Sequence, residues 1–319
     1  MVNEAGGGTG QGGGRGGLLV VGDVVTDVVA RHAEPLARDT DTAARIALRP
    51  GGAGANVACW AAGAGARARL LARVGADTAQ WHRGELLKAG VEPVLRIDPS
   101  LPTAVVIALV DAAAERTLVT DSGASLALGP ADWSEDLLDG VGHVHLSGYL
   151  FFCAPGRELA AVVGAAAHAR GLPVSVDPAS AGFLRRLGVP RFLAAVAGTD
   201  LLLPNAAEAA LLSGRPEPAD AAAELSALCG GAEVVVTLGA EGALAAADGR
   251  VVARVPAVQA RPLDTTGAGD AFTGGLLAAR LAGADLPAAL TAACASGAAA
   301  VRLVGARPAP SHPTAYAGP

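Results

Sequence analysis

The chain has 319 residues, 51% of them apolar, and a formal net charge of −6. That length holds one large domain with an insertion or two modest ones, with ample apolar material for a core. The acidic balance and the lack of any basic stripe argue against a nucleic-acid partner, whose phosphates demand clustered cations, and leave a small molecule as the expected one.

Residues 1–17 are dominated by glycine and read as a flexible tail, because they cannot bury enough surface to offset ordering entropy. Their G-x-G patterns precede the first strand, so they are no dinucleotide fingerprint. No apolar core behind positive charge marks a signal peptide. The uncharged run Leu286–Val301 is shorter than the roughly 20 residues a membrane span needs. Cys59, Cys153, Cys229 and Cys294 stand too far apart for zinc or redox motifs and read as small buried hydrophobes. A cytoplasmic protein with no membrane partner is expected.

From Leu18 onward strand-like and helix-like stretches alternate. Leu18–Val25 is a continuous apolar strand of the kind buried on both faces. Asn56–Ala64 reads as a helix, Arg67–Val74 as a strand and Thr78–Ala89 as an amphipathic helix. His143–Leu146, Pro173–Asp177, Asp200–Leu203 and Val234–Leu238 are further strands. Helical stretches such as Glu158–Ala169 and Asn205–Leu212 lie between them. The alternation implies right-handed βαβ crossovers and an α/β sheet covered on both sides. Thr40–Arg49 and Val91–Thr120 break the rhythm as strands without intervening helices. They predict a small inserted β-sheet, with lid segments near 38–50 and 92–122.

Two glycine-rich motifs carry the chemistry. Asp264-Thr265-Thr266-Gly267-Ala268-Gly269-Asp270 follows a strand-like segment and opens a helix, Asp270–Leu281. Its glycines let successive N–H groups converge, and the helix end adds its own unpaired N–H groups and positive dipole. This makes an anion cradle suited to a transferring phosphoryl group, with Asp270 beside it as a candidate base. A glycine-rich N-cap with a capping aspartate is the bland alternative. Gly51-Gly52-Ala53-Gly54-Ala55-Asn56 opens the upstream helix. There backbone could approach a ligand closely and Asn56 could meet a hydroxyl pattern.

In order and separation these two motifs resemble the two signatures of the ribokinase-like (PfkB) carbohydrate kinases. The likeness covers nearly the whole chain after the tail. Gly22-Asp23-Val24-Val25-Thr26-Asp27 looks like that family's first strand and substrate-binding aspartate. Pro204-Asn205-Ala206-Ala207-Glu208 resembles its N-x-x-E motif, and Thr237-Leu238-Gly239-Ala240-Glu241-Gly242 its nucleotide-holding strand end. The resemblance implies a three-layer α/β/α sandwich, residues 18–319, with a mostly parallel sheet and a β-sheet lid. It implies that Asp270 is the base and that Gly267, Ala268 and Gly269 form the anion hole. Asp27, Gly51, Gly52 and Asn56 would hold the substrate, and Asn205, Glu208, Thr237, Gly239 and Gly242 the ATP. Glu208 would serve Mg²⁺ through water. Asp264, Thr266, Ala300 and Gly305 match a possible K⁺ site, although Ala309 falls where some members have serine. Some relatives dimerise through the lid, so a homodimer through that sheet is possible.

The implied activity is ATP-dependent phosphorylation of a hydroxyl, expected to be a primary CH₂OH, on a sugar such as ribose, fructose or a keto-sugar acid. A nucleoside kinase of the same family is the alternative; Tyr149, Phe151 and Phe152 could stack on a base. A non-catalytic sugar-binding protein would show a replaced base or a broken glycine turn, and both are intact. The single lysine, Lys88, fits neither a P-loop nor a protein-kinase strand. Asn205 and Glu208 could simply cap their helix, Asp177 could simply form a turn, and His143 and His145 favour packing over metal. Arg45, Arg49, Arg96 and Arg116 in the lid stretches could bind a substrate phosphate or carboxylate, with solvation the favoured reading.

Overall fold

The computed structural model describes residues 16–113 and 115–308; most of the expected tail, and Ala309, lie outside them. The chain begins with β1 (Gly17–Val21), β2 (Val25–His32) and β3 (Ala44–Gly51), then α1 (Ala53–Gly63), β4 (Ala68–Gly75) and α2 (Ala79–Lys88). Three strands follow: β5 (Val91–Asp98), β6 (Ala104–Val110) and β7 (Arg116–Asp121). Next come β8 (Val141–Ser147), α3 (Ala154–Ala169), β9 (Val174–Asp177), α4 (Ala181–Leu187), α5 (Val189–Ala195) and β10 (Leu201–Leu202). The last part runs α6 (Ala206–Ser213), α7 (Pro218–Leu228), β11 (Glu233–Thr237), β12 (Ala243–Ala247), β13 (Arg250–Val255), α8 (Ala268–Leu281) and α9 (Leu286–Ala300).

Nine strands form one sheet in the order β13-β12-β11-β10-β9-β8-β1-β4-β5. All its pairings are parallel except β11–β12 and β12–β13. Strand β1 shows why its run is unbroken apolar. Leu19 and Val21 pack into one core and Leu18 and Val20 into the other, so both faces must be hydrophobic. The first core is closed by α3 to α7 and the second by α1, α2, α8 and α9. This is the expected α/β/α sandwich, and it gathers strand ends and helix starts along one edge.

A separate four-stranded sheet, β3-β2-β6-β7, forms the lid. Here the structure corrects three expectations. The first strand stops at Val21, and Val25–His32 is a lid strand paired with β3 and β6. Asp27 therefore stands on the lid, not at the end of β1. Val91–Asp98 is no part of the lid; it pairs with β4 as the edge of the large sheet. Glu92, Pro93 and Arg96 hide its apolar pattern, and a proline is tolerated at such an edge. Gly17, assigned to the tail, begins β1. Two helices also start one turn or less before their predicted residues, α1 at Ala53 and α8 at Ala268. A loop rather than a strand leads from Val255 into α8.

Candidate active site

The first turn of α8 organises the site. Its N-cap, Gly267, has φ 74°, a left-handed conformation that costs other residues roughly 1–2 kcal/mol. A Cβ there would also stand 2.6 Å from the Ala306 side chain. Only glycine lets the loop turn here and present the N–H groups that start the helix. Asp270 is the third residue of α8, partly buried, and burial pushes its carboxyl up to about 7.

Asn56, buried in α1, donates from Nδ2 to Asp270 Oδ2 at 2.8 Å. The contact exists because α1 and α8 pack closely at Gly274, where a Cβ would lie 2.7 Å from the Val57 carbonyl. Behind Asn56 stands Arg307, which sequence reasoning missed. Its Nε donates to Asn56 Oδ1 at 3.3 Å and its Nη2 to the Gly51 carbonyl at 2.8 Å. Its Nη1 is buried with no partner among the described residues. The guanidinium restrains the acidity shifts around it. Asp27 is raised to about 6, mainly by burial, with Arg307 opposing that rise. Gly51 gives Asp27 its room, since a Cβ would collide with both carboxylate oxygens.

Asp23, in the stretch that resembles the family's first strand, anchors the start of α1. Its Oδ2 accepts from Ala53 N at 2.8 Å, and its Oδ1 from Gly54 N and from Ser147 Oγ. It thus caps α1, satisfying orphan N–H groups where the helix dipole favours an anion. The local signal was an aspartate between a strand and a glycine-rich helix start, but the chain separation of 30 residues hid it.

Two cavities meet at the start of α8. One, about 220 Å³, is lined by Asp23, Asp27, Gly52, Tyr149, Phe152 and Asp270. The other, about 350 Å³, includes Thr237, Gly239, Gly242, Ala268, Gly269 and Phe272 in its wall. Asp270 thus faces the first cavity while Ala268 and Gly269 face the second. Asn205 and Glu208 line neither of these two. They form a capping box on α6, with Glu208 N donating to Asn205 Oδ1 and Asn205 N to Glu208 Oε2 at 2.9 and 3.0 Å. Glu208 is also buried near Asp177, and both carboxyls are raised, first by burial; repulsion from Glu208 and Asp270 raises Asp177 further. Such a pair invites a cation. Hard oxygen donors of this kind fit Mg²⁺, which keeps several waters and shares phosphate oxygens rather than filling a protein cage.

The residues matched to a K⁺ site meet a guanidinium instead. Arg116, from β7, contacts Asp264 Oδ1 at 3.2 Å, Thr265 Oγ1 at 2.8 Å and Thr266 Oγ1. The Asp264 oxygens also accept from Thr266 N and from Gly305 N. Gly305 therefore offers its N–H here, and Ala300 packs with Trp60 and Ala271. The matched carboxylate is charge-paired with Arg116, and no step is assigned to a monovalent cation.

Several other residues are structural. His143 and His145 both bond to Ser175 Oγ, at 2.8 and 2.9 Å, within the core; burial lowers them to about 4 and about 3. Phe151 packs on Phe192 inside the core, so only Tyr149 and Phe152 of the expected aromatics face the first cavity, joined there by Phe183. Cys153 is half-buried, and Cys294 lines the second cavity. Lys88 pairs with Glu85 on the surface.

A model of the pfkB family of carbohydrate kinases matches residues 16–313. The chain belongs to this family. It is 33% identical over 299 residues to an ATP-dependent ribose-1-phosphate kinase from Halopiger xanaduensis, covering 92% of this chain and 95% of that one. It is 31% identical over 272 residues to a fructokinase from Klebsiella pneumoniae, covering 82% and 84%. The solved adenosine kinase from Sinorhizobium meliloti superposes with a TM-score of 0.83 at 23% identity, over 92% of this chain and 96% of that one. As a member of this family the chain is an ATP-dependent phosphotransferase. Among its described residues, no helix is long and apolar enough to cross a membrane.

Proposed function

We propose that the chain transfers the γ-phosphoryl group of ATP to a hydroxyl of a sugar-class acceptor, with Asp270 as general base. One observation carries this reading: a single helical turn divides two cavities, with a carboxylate on one side and the glycine-turn backbone on the other. The acceptor occupies the cavity lined by Asp23, Asp27 and Gly52, with its hydroxyl at Asp270. Asp27 accepts hydrogen bonds from acceptor hydroxyls, which discriminates against analogues lacking them.

ATP lies in the cavity of Thr237, Gly239 and Gly242, its phosphates toward Gly267–Gly269. The N–H groups there stabilise charge that develops on the transferring group. Asp270, with its carboxyl raised to about 7, is matched to taking a proton near neutrality. Glu208, reaching through water, and Asp177 stand where they would hold Mg²⁺. Such an ion would supply charge to offset that of the phosphates. The named relatives make ribose phosphate, fructose and adenosine the first acceptors to try.

A nucleoside acceptor is the second reading, favoured by the aromatic wall of Tyr149, Phe152 and Phe183. The last two rings stack with centroids 5.0 Å apart, a surface suited to a base. The outer face of the lid exposes Leu48, Ile107 and Val119 in neighbouring positions, the surface a second copy's lid would cover in a homodimer.

The test is an ADP-release assay with ATP and Mg²⁺ over a panel of pentoses, hexoses, keto-sugar acids, sugar phosphates and nucleosides. Turnover of a panel member should fall by about 10²-fold or more in Asp270→Asn, the usual effect of losing a general base. A variant retaining a tenth of wild-type kcat would remove Asp270 from that role.

A further inference from the structure

We propose that the inner face of the lid is an anion subsite selecting an acceptor that already carries a phosphate group. The register of the lid strands brings four arginines together. In the β2–β3 pairing Arg49 lies opposite Asp27 and Arg45 opposite Arg31. Through β6, Arg31 pairs with Val110, and Val110 pairs with Arg116. Arg45, Arg31, Val110 and Arg116 thus form one row across the sheet, and Arg49 and Asp27 a second row on the same face.

All four arginines line a cavity of about 610 Å³, closed on its far side by the segment around Asp264–Thr266 and by Gly305. This cavity shares Asp27, Val106 and Leu118 with the proposed acceptor cavity, so the two are continuous. Arg116 already has partners in Asp264, Thr265 and Thr266. Arg31, Arg45 and Arg49 have no carboxylate within salt-bridge distance among the described residues; the ion pair found in this cavity is that of Arg116 with Asp264.

Like charges directly opposite on neighbouring strands repel, and Arg31 opposite Arg45 is such a pair. An anion would relieve the repulsion within this row. A phosphate monoester carries nearly two negative charges and several acceptor oxygens, and arginine forks bind it bidentately. Arg31 stands four positions after Asp27 along β2, about 13 Å of strand. A sugar phosphate fills that span, with its hydroxyls at Asp27 and its phosphate under the reaching guanidiniums. Closing the lid on such a molecule would couple phosphate capture, through Arg116, to the loop that leads into the anion hole.

This inference rests on the phosphotransfer reading, and the experiment separates the two. Calorimetry without ATP compares ribose with ribose 1-phosphate and ribose 5-phosphate, and fructose with fructose 6-phosphate. The ADP-release assay runs on the same compounds. At least one ester should bind about tenfold or more tightly than its parent sugar. In Arg31→Ala/Arg45→Ala that advantage should collapse, by about tenfold to a hundredfold for loss of charged hydrogen bonds. The loss should fall in acceptor KM rather than in KM for ATP, with partial rescue in Arg31→Lys/Arg45→Lys. Equal binding of esters and parent sugars overturns the subsite. So does a double variant whose only defect is a raised KM for ATP, which would assign the arginines to the nucleotide. If no compound is turned over, the kinase reading fails, and the calorimetric comparison still decides the subsite.

Discussion

Asn56 and Asp270 are 214 positions apart in the chain, yet the Asn56 amide nitrogen donates to the Asp270 carboxylate at 2.8 Å. The bond ties the two glycine-rich motifs into one site. It also opposes the rise in Asp270's pKa that burial causes, so it helps keep that carboxylate ionised near neutrality.

Removing that donor should move the pH profile. In Asn56→Ala the carboxylate loses a hydrogen bond that favours its charged form, and its pKa climbs from about 7. The acidic limb of kcat/KM should shift upward by about one to two pH units, the equivalent of one charged hydrogen bond. A pH–rate series from 5.5 to 9.5 measures it. An unmoved limb would mean that another group sets the profile.

Asp270 also leaves a signature in stability. Its folded pKa of about 7 lies above the ordinary 3.8, so the folded state holds the proton more tightly than the unfolded one. The stability it contributes is full below about 3.8 and is lost as pH rises through about 7. Asp270→Asn removes this dependence. The Tm of the variant relative to wild type should therefore rise between pH 4 and 7 and level off above. Parallel melting curves at four pH values give the answer.

Gly51→Ala should separate acceptor binding from ATP binding. The added methyl collides with the Asp27 carboxylate and forces it away from the acceptor cavity. Acceptor KM should rise by about tenfold or more, as for one lost hydroxyl contact, while KM for ATP stays near wild type. A rise confined to ATP would place Asp27 outside the acceptor site.

Arg307 is expected to act by positioning. Arg307→Met keeps the apolar stem but strips the bonds to Asn56 Oδ1 and Gly51 O and the positive charge near Asp27 and Asp270. Activity should drop about tenfold or more, and the acidic limb should move to higher pH. Arg307→Lys should restore the position of the limb by charge while leaving kcat reduced, because one ammonium cannot reproduce the two-pronged contact. A merely structural arginine would lower the Tm in both variants without moving the pH profile.

Parts of this site were legible in the sequence because their chemistry is local. The Gly267–Asp270 turn needs only consecutive residues: a glycine at φ 74°, converging N–H groups and an acid within the first helical turn. Gly51 to Asn56 and the Asn205–Glu208 capping box are readable for the same reason. Arg307 and Phe183 gave no such signal, and that of Asp23 was hidden by distance. Asp23 caps a helix 30 residues ahead, and Arg307 contacts residues more than 250 positions behind it.

The lid shows the same limit in secondary structure. Val25–His32 follows β1 after three residues, so the apolar run Leu18–Val25 reads as one strand although it ends in β2. Which sheet a strand joins depends on partners elsewhere in the chain, here β3 and β6. Val91–Asp98 went the other way, to the edge of the large sheet, through its pairing with β4.

By itself the sequence determined the α/β alternation, the glycine turn that opens α8 and the acid placed in its first turn. These depend on backbone conformation and hydrophobic periodicity over a few residues. Only the tertiary structure decided that Asp27 rides on the lid, that Arg116 holds Asp264, and that four arginines share one face with Asp27. Those facts follow from strand register and from close helix packing at Gly274. Both are set by contacts between distant segments, and no local pattern records them.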